Sequence, residues 1–253
     1  MLDIREVSFT VKETQILENI TFSVSPGEVI AVLGEAGSGK SALLSALSRK
    51  IQHDGTIVME GKDPSVKPRH TDILLYPSPV ESRESETVFD TVLSGRAPHK
   101  KSIAPYSPFD VQTADEMIRE FGLDDLRKRR LSELSDSQYK MTILAQFAAC
   151  QSSLLLLDNP EEALDLLARN RVLRAVRKFT FTGERSVIIA TNDLTFASQC
   201  ADRFIILKRG KVEYDGDHAL FTEDMIRKIF GCEGIVSKNI FNGRPEVQFI
   251  PES

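Results

Sequence analysis

The chain has 253 residues, of which 41% are hydrophobic and 27% charged, a balance typical of a globular protein with a sizeable core. The formal net charge of -5 argues against sequence-independent binding to nucleic acid, because a phosphate backbone favours clustered Lys and Arg. The one dense basic run, at residues 127–130, is interpreted as the solvated end of a helix.

Three cysteines lie far apart, at Cys150, Cys200 and Cys232, without the spacing of a metal site, so we expect reduced thiols. The first residues lack a basic segment followed by an apolar stretch, and no apolar run is long enough to span a bilayer. We therefore expect neither a signal peptide nor a membrane span, and any association with a membrane would be peripheral.

The first predicted elements are two half-buried strands, at residues 2–9 and 20–24, where apolar and polar residues alternate loosely. A continuous apolar run, Val29–Leu33, predicts a fully buried strand that ends at Gly34. Residues 41–47 then show helical periodicity. A buried strand, a glycine-rich loop and a helix therefore follow one another directly.

Further along the chain, buried strands alternate with helices. Strands are predicted at residues 73–76, 153–157, 187–190 and 204–207, and helices at residues 164–179 and 194–200. This alternation implies crossover connections and a mostly parallel sheet, and hence an α/β fold.

The section at about residues 86–150 differs, because it contains no convincing strand. Helical patterns cover residues 88–93, 111–121 and 138–149. We predict one domain, in which a helical subdomain is inserted into an α/β core. The core comprises residues 1–85 and 151–230, and a C-terminal extension covers about residues 231–253.

The glycine-rich loop at residues 34–41 reads G-E-A-G-S-G-K-S and matches the phosphate-binding P-loop pattern between a strand and a helix. Glycines let backbone N–H groups converge on phosphates, and the following helix presents its positive end to the anion. Lys40 is expected to reach the β- and γ-phosphates of ATP, and the Ser41 hydroxyl to ligate Mg²⁺. The predicted cofactor-binding residues of this loop are Gly34, Gly37, Ser38, Gly39, Lys40 and Ser41.

A P-loop fold needs a second strand that ends in an acidic residue for the metal shell. The apolar run at residues 154–157 ends at Asp158 and supplies it. An apolar strand that ends in Asp is common, but beside the P-loop it predicts a Walker B carboxylate. Ser41 and Asp158 are therefore the predicted Mg²⁺ ligands.

These motifs resemble those of the ATP-binding subunits of ABC transporters over essentially the whole chain. Residues 92–98, V-L-S-G-R-A-P, and the tail segments at residues 229–231 and 242–245 resemble the cassettes that serve metal-chelate importers, for iron-siderophores, haem and cobalamin. The resemblance implies a P-loop NTPase (RecA-like) core, an N-terminal antiparallel β subdomain and an inserted α-helical signature subdomain.

The resemblance also assigns roles to residues of the signature motif and the D-loop. The signature, Leu-Ser-Gly-Gly-Gln in the family, stands here as L-S-D-S-Q, so Ser135 and Gln138 would face the ATP of a partner cassette. Asp136 places a negative charge where that anion would approach, and repulsion is expected. A harmless substitution stays open as the alternative, because Ser135 and the helix N-terminus remain. Asp165 belongs to a D-loop that is intact and would run along the dimer seam.

Three positions that the family uses for hydrolysis are altered. Asn159 stands for the glutamate that polarises the attacking water, Asn192 for the switch histidine, and Ser78 for the Q-loop glutamine. An amide orients water but cannot accept its proton. Glu161 and Glu162, beyond the proline, are interpreted as solvated helix-start charges that do not replace the missing base.

The family also stacks adenine on an aromatic side chain of the N-terminal strand pair. That position falls near Val11 here, with Phe9 and Phe22 as alternatives if the register differs.

Two functions stay open on the sequence. The first is the energising subunit of an importer, a homodimer beneath transmembrane permease subunits and peripheral on the inner face of the membrane. The second is a non-hydrolysing partner, regulatory or structural, in a heterodimer with a second ABC cassette. Chromosome-organising and DNA-repair relatives carry a long coiled coil, whereas only short helical patterns lie between Lys40 and Ser135.

Overall fold

The computed structural model describes residues 2–59, 71–76, 85–100 and 104–250. These ranges form an α/β fold, as predicted. The strands are β1 (Leu2–Val11), β2 (Thr14–Val24), β3 (Val29–Leu33), β4 (Asp54–Met59), β5 (Ile73–Tyr76), β6 (Leu154–Asp158), β7 (Ser186–Ala190), β8 (Arg203–Lys208), β9 (Lys211–Gly216), β10 (Gly234–Lys238) and β11 (Pro245–Phe249). The α-helices are α1 (Lys40–Leu47), α2 (Val88–Ser94), α3 (Pro108–Glu120), α4 (Asp136–Ala149), α5 (Leu166–Thr180), α6 (Leu194–Cys200) and α7 (Glu223–Phe230).

The central sheet has six strands in the order β5-β6-β7-β3-β8-β9. Its first five strands are parallel, and β9 pairs antiparallel to β8. All five residues of β3 are buried, as its unbroken apolar run predicts. Because β3, β6 and β7 are parallel neighbours, the loops that follow them emerge at the same edge of the sheet.

One face of the central sheet is covered by α1 and by a three-stranded antiparallel sheet of order β2-β1-β4. The antiparallel N-terminal subdomain is therefore confirmed, although its strands extend beyond residues 2–9 and 20–24 to form one long hairpin. Apolar residues on the inner face of this sheet, among them Leu17 and Ile20, join a core with Leu43 and Leu44 of α1.

Helices α2 to α6 pack on the opposite face, around a second core. Helix α5 begins at Leu166, two residues later than predicted, because the Asp165 side chain accepts a hydrogen bond from the Ala168 N–H at 2.8 Å and caps the helix there. Gly95 lies against the carbonyl oxygen of Gln146, where a Cβ would collide, so α2 and α4 can approach closely only with glycine at this position.

The basic run at residues 127–130 follows a short 3-10 turn, and its first member is not a solvated helix end as predicted. The Arg127 guanidinium donates to Asp115 at 2.7 Å and lies 3.9 Å from the ring centroid of Phe89. The other three residues are exposed, in line with the solvated interpretation.

The C-terminal hairpin, β10 paired with β11, packs against α6. Arg244 fastens it, because its guanidinium donates to the carbonyl oxygens of Ser198 at 2.9 Å and Ala201 at 3.0 Å. Within the described residues, none of the helices combines the length and the apolar character that a membrane crossing requires. The three cysteines are free thiols.

Candidate nucleotide-binding site

The P-loop lies between β3 and α1 and has a backbone that only glycine adopts easily. Gly34 has a φ of 148°, and a Cβ there would collide with the carbonyl oxygen of Leu207 on β8. Gly39 has a φ of 106°, and its Cβ would lie 2.9 Å from the carbonyl oxygen of Ile16 on β2. The loop is therefore held between two strands, with glycine required at both contact points.

Lys40 is the first residue of α1 and turns its ammonium group back into the loop. Its Nζ donates to the carbonyl oxygens of Gly34 at 2.7 Å and Glu35 at 2.8 Å. Burial lowers the pKa of Lys40, and the nearby carboxylate of Asp158 partly offsets this effect. The ammonium group therefore lies inside the loop and within the field of the carboxylate at the end of β6.

The serine and glycine positions of the loop fit an anion. Ser38 is only 5% exposed, and its Oγ has no hydrogen-bond partner among the described residues. Space within 4 Å of a Cβ at Gly37 is open. Ser41 is exposed in the first turn of α1. A buried donor without a partner and open space above glycine are what a phosphate cradle requires.

Asp158 ends β6 directly opposite Ala190 of β7. Its Oδ1 accepts a hydrogen bond from the Asn159 side-chain amide at 3.1 Å. Asn159 itself has a φ of 45°, in the left-handed region that asparagine tolerates better than most residues. Its N–H donates to the Ala190 carbonyl at 2.8 Å, so the amide is fixed at the edge where β6 and β7 end.

Lys140, a residue that the sequence interpretation missed, connects the signature helix α4 to this edge. Its Nζ donates to the carbonyl oxygens of Asn159 at 3.1 Å and Glu162 at 2.6 Å. Burial lowers the pKa of Lys140, while Glu162 and Glu161 raise it by a smaller amount. A lysine six residues after the start of the signature could have been singled out from the sequence, but its acceptors could not.

The interpretation of Glu161 as a solvated charge is wrong. Its carboxylate accepts a short hydrogen bond from the hydroxyl of Thr191, which is fully buried. Its Oε2 is buried and has no hydrogen-bond partner among the described residues. Burial raises the pKa of Glu161, and the bond from Thr191 lowers it by a smaller amount. Glu162 is exposed, as predicted.

Asn192 is exposed and follows Thr191 at the end of β7. Asp193 accepts from the Phe196 N–H at 2.7 Å, which caps α6, and forms an ion pair with Arg169. An open groove of about 1100 Å³ brings together the two predicted positions Asn159 and Asn192, and Glu161 lies in the same lining.

The signature residues form the start of α4. The Ser135 Oγ accepts from the Gln138 N–H at 3.3 Å, and the Gln138 side chain accepts from the Ser135 N–H at 3.0 Å, a reciprocal cap. Asp136 is exposed in the first turn, where its charge favours the helix. The predicted nucleotide ligands of this motif therefore hold one another in place, and a carboxylate lies beside them.

The candidates for adenine stacking differ in accessibility. Val11 is 45% exposed, whereas Phe22 is 5% exposed within the core and is not accessible to a base. Phe9 is half-buried and packs against the same core. The parts of β2 that lie against Gly39 of the P-loop are the Ile16 carbonyl oxygen and the Leu17 side chain, and neither residue is aromatic. The predicted Q-loop position, Ser78, lies outside the described residues.

Comparison with known proteins identifies the family. Residues 17–162 match the ABC transporter family. The petrobactin import ATP-binding protein FpuC of Bacillus anthracis is 28% identical over 100% of this chain and 93% of its own length. The phosphonates import ATP-binding protein PhnC of Alcaligenes faecalis is 28% identical over 86% of this chain and 83% of its own length.

Among solved structures, a metal-chelate type ABC transporter in an inward-facing conformation matches with a TM-score of 0.79 at 23% identity. The match covers 100% of this chain and 97% of that chain. Together with the P-loop and the parallel sheet that positions it, these matches confirm the resemblance: the chain belongs to the ABC transporter family and has the fold of its ATP-binding cassettes.

Proposed function

We propose that this chain is the ATP-binding subunit of an ABC importer for a metal chelate of the iron-siderophore, haem or cobalamin kind. It binds Mg-ATP at the P-loop and hydrolyses it slowly. It acts as one of two cassettes, peripheral on the inner face of the membrane, beneath transmembrane permease subunits. The observation that carries the proposal is the contrast between an intact P-loop and the amide of Asn159 at the end of β6.

The binding half is supported by the fit of the loop to an anion. The Lys40 ammonium lies within the loop, and phosphate oxygens are stronger acceptors for it than the neutral carbonyls of Gly34 and Glu35. The Ser41 hydroxyl and the Asp158 carboxylate are hard oxygen ligands of the kind that Mg²⁺ prefers, and one carboxylate oxygen of Asp158 is not used by Asn159. Bound Mg²⁺ would neutralise phosphate charge.

The slow hydrolysis follows from the chemistry of the side chains at the edge. Water that attacks the γ-phosphorus must lose a proton, and a carboxylate at position 159 would accept it. The amide of Asn159 accepts hydrogen bonds but no proton, so it orients water without activating it. Asn192 likewise offers hydrogen bonds to a phosphate oxygen but no imidazole.

The substrate class is supported by the relatives and by the segments at residues 92–98 and 242–245. FpuC serves petrobactin import by its name, and the structural match is to a metal-chelate type transporter. PhnC, with equal identity, serves phosphonate import by its name. Reconstitution with permease subunits of the two importer types would separate the two, since a chelate importer transports metal complexes and not phosphonates.

A second function, a non-hydrolysing partner in a heterodimer, is favoured by Asp136. Its exposed carboxylate stands in the signature, where the family's glycine lets the partner's phosphates approach. A homodimer would carry this repulsion at both nucleotide sites. A heterodimer would carry it at one site only and leave the other to a complete signature.

The test is nucleotide binding and turnover measured on one purified sample by calorimetry with Mg-ATP and by phosphate release. We expect binding with turnover near background. Lys40→Ala should abolish binding. The matched control is Lys178→Ala. Lys178 is an exposed lysine near the C-terminal end of α5, and its ammonium group pairs with Glu120 of α3 at 2.5 Å. This variant should bind Mg-ATP as the parent does.

The outcomes separate the proposals. Fast turnover that depends on Lys40 would overturn the proposal that hydrolysis is slow, and the chain would then be an importer ATPase with ordinary activity. Failure to bind Mg-ATP would overturn the proposed function in both forms. Activity that appears only with a second, different cassette would favour the heterodimer.

A further inference from the structure

The loops that follow β6 and β7 are joined by a partly buried hydrogen bond between the side chains of Glu161 and Thr191. Glu161 lies three residues after the end of β6, and Thr191 is the first residue after β7. The Thr191 hydroxyl donates to the Glu161 carboxylate, and the Asp193 N–H donates to the Thr191 Oγ at 2.9 Å. A continuous chain of hydrogen bonds therefore runs from one loop into the other.

Asn192 lies in the sequence between two members of that chain, Thr191 and Asp193. The Thr191 N–H donates to the carbonyl oxygen of Val32 at 3.1 Å, which fixes the start of the loop to β3, next to the P-loop. Asp193 is fixed by its cap of α6. Because both neighbours of Asn192 are held, the backbone at residue 192, and with it the position of the Cβ, is fixed between β3 and α6.

The carboxylate of Glu161 is costly where it lies. One oxygen has the Thr191 hydroxyl as its donor, while the other is buried without a partner among the described residues. A buried acceptor that loses its water without a new donor destabilises the fold. Leucine, which has nearly the same size, would remove the unpartnered oxygen but would leave the hydroxyl of the fully buried Thr191 without its acceptor, so the carboxylate is suited to holding that hydroxyl.

We infer that Glu161 is a positioning residue for the nucleotide, which acts through Thr191 to hold Asn192 toward the γ-phosphate. This inference rests on the proposed binding of ATP at the P-loop. Glu161 itself touches no phosphate in this role. Its effect should therefore appear only with a nucleotide that has a γ-phosphate, and the affinity for ADP should not depend on it.

The experiment compares dissociation constants for Mg-ATP and Mg-ADP across matched variants of the full chain. Glu161→Leu and Thr191→Val each remove the hydrogen bond with little change in size, and each should weaken ATP binding about 5-fold, the equivalent of one hydrogen bond, with ADP binding unchanged. Glu161→Gln and Thr191→Ser keep an acceptor and a donor, respectively, and should bind ATP as the parent does. The double variant Glu161→Leu with Thr191→Val should lose no more than either single variant.

Asn192→Ala supplies the second readout. It should weaken ATP binding by the same factor as Glu161→Leu, and the double variant Asn192→Ala with Glu161→Leu should bind ATP no more weakly than either single variant. Equal losses for ATP and ADP, or additive losses in the double variants, would overturn the positioning role. Weakened ATP binding in Glu161→Gln, equal to that in Glu161→Leu, would also overturn the positioning role, since loss of the hydrogen bond to Thr191 would then not explain the weaker binding. Parent protein whose weak binding is insensitive to Lys40→Ala would instead overturn the proposed function on which this role rests.

Discussion

The P-loop and the loops after β6 and β7 meet at one edge of the sheet but are built differently. The P-loop is shaped by backbone: glycines at Gly34 and Gly39 pass close to the carbonyl oxygens of neighbouring strands. The loops after β6 and β7 are held by side chains in addition to backbone hydrogen bonds: Lys140 reaches the first loop from α4, and Glu161 pairs with Thr191 between the two loops.

The difference would let nucleotide binding persist in a cassette in which hydrolysis is impaired, as we propose for this chain. A loop shaped by backbone contacts keeps its shape only with glycine at those contacts, so its sequence is constrained by the fold. Residues 159 and 192 project from loops that other side chains hold, so their chemical groups can change while the fold stays the same. The four predictions below each act on one side of this comparison.

The largest effect is expected from Gly34→Ala. Its Cβ would collide with the Leu207 carbonyl oxygen, so the loop must move, and several phosphate hydrogen bonds at about 1.5–3 kcal/mol each would be lost. ATP affinity should fall about 10³-fold, as measured by calorimetry. Gly183→Ala is the control: it lies outside the P-loop in the turn between α5 and β7, its φ of 73° costs about 1 kcal/mol of stability, and the space around its Cβ is open, so ATP affinity should stay as in the parent. Equal affinities of the two variants would contradict a backbone-shaped cradle.

The next largest effect is on ATP turnover and comes from Asn159 in the loop after β6. Asn159→Glu should raise turnover about 10²-fold, at the low end of general-base effects because Asn192 and Asp136 remain altered. The φ of 45° at this position favours asparagine, so the variant should also lose about 1 kcal/mol of stability. Phosphate release and thermal unfolding measure the two effects.

Asn159→Gln separates the two effects of that substitution. Glutamine has the size and the backbone preference of glutamate but accepts no proton. It should lose the same stability and gain no turnover. A gain in both variants would assign the effect to side-chain length and not to the missing base.

Strand β3 and the P-loop were predictable from the sequence because their signals are local. The run Val29–Leu33 is apolar without a break and is buried along its whole length, and glycine positions follow it directly. By contrast, the short strand β4 and the strand β9 were not predicted. Their residues alternate poorly, and they gain their hydrogen bonds from β1 and β8, which lie far away in the chain or across a turn.

Glu161 was misinterpreted for a related reason. A glutamate after a proline is typical of a solvated helix start, and only the pairing of β6 with β7 brings Thr191 to it across 30 residues. The predicted parallel strands already placed both loops at one edge, so a contact between their polar residues could have been considered. Its burial, and the two carbonyl acceptors of Lys140, depend on packing that no local pattern contains.

The third prediction tests whether the Lys140 side chain holds the loop after β6. Lys140→Met removes the two hydrogen bonds to the carbonyl oxygens of Asn159 and Glu162 but keeps the apolar part of the side chain. Unfolding by urea should show a loss of about 2 kcal/mol. Lys128→Met, at an exposed position, should change stability by less than about 0.5 kcal/mol. A parent-like Lys140→Met would mean that Lys140 does not hold this loop, and its side-chain support would reduce to the pair of Glu161 with Thr191.

The smallest effect is a dependence of stability on pH that comes from the same region. Burial raises the pKa of Glu161, so the folded chain keeps this proton to a higher pH than the unfolded chain does. Its contribution to stability is therefore complete below the unfolded pKa and is lost as the pH rises through the folded pKa. Charged or titratable groups that act on Glu161, or on which it acts, are Lys140, Arg169, Asp193 and Cys200.

Glu161→Gln removes that proton equilibrium and keeps the acceptor for Thr191. Relative to the parent, the variant should gain free energy of unfolding as the pH rises from 4 toward 8, measured by urea unfolding at each pH. Glu162→Gln removes a charge from the exposed neighbour and should follow the parent curve. A constant difference between Glu161→Gln and the parent across that range would show that folding does not raise the pKa of Glu161. Glu161 would then hold Thr191 without a cost from burial of its charge, and the contrast with the P-loop would rest on Lys140 and on this hydrogen bond.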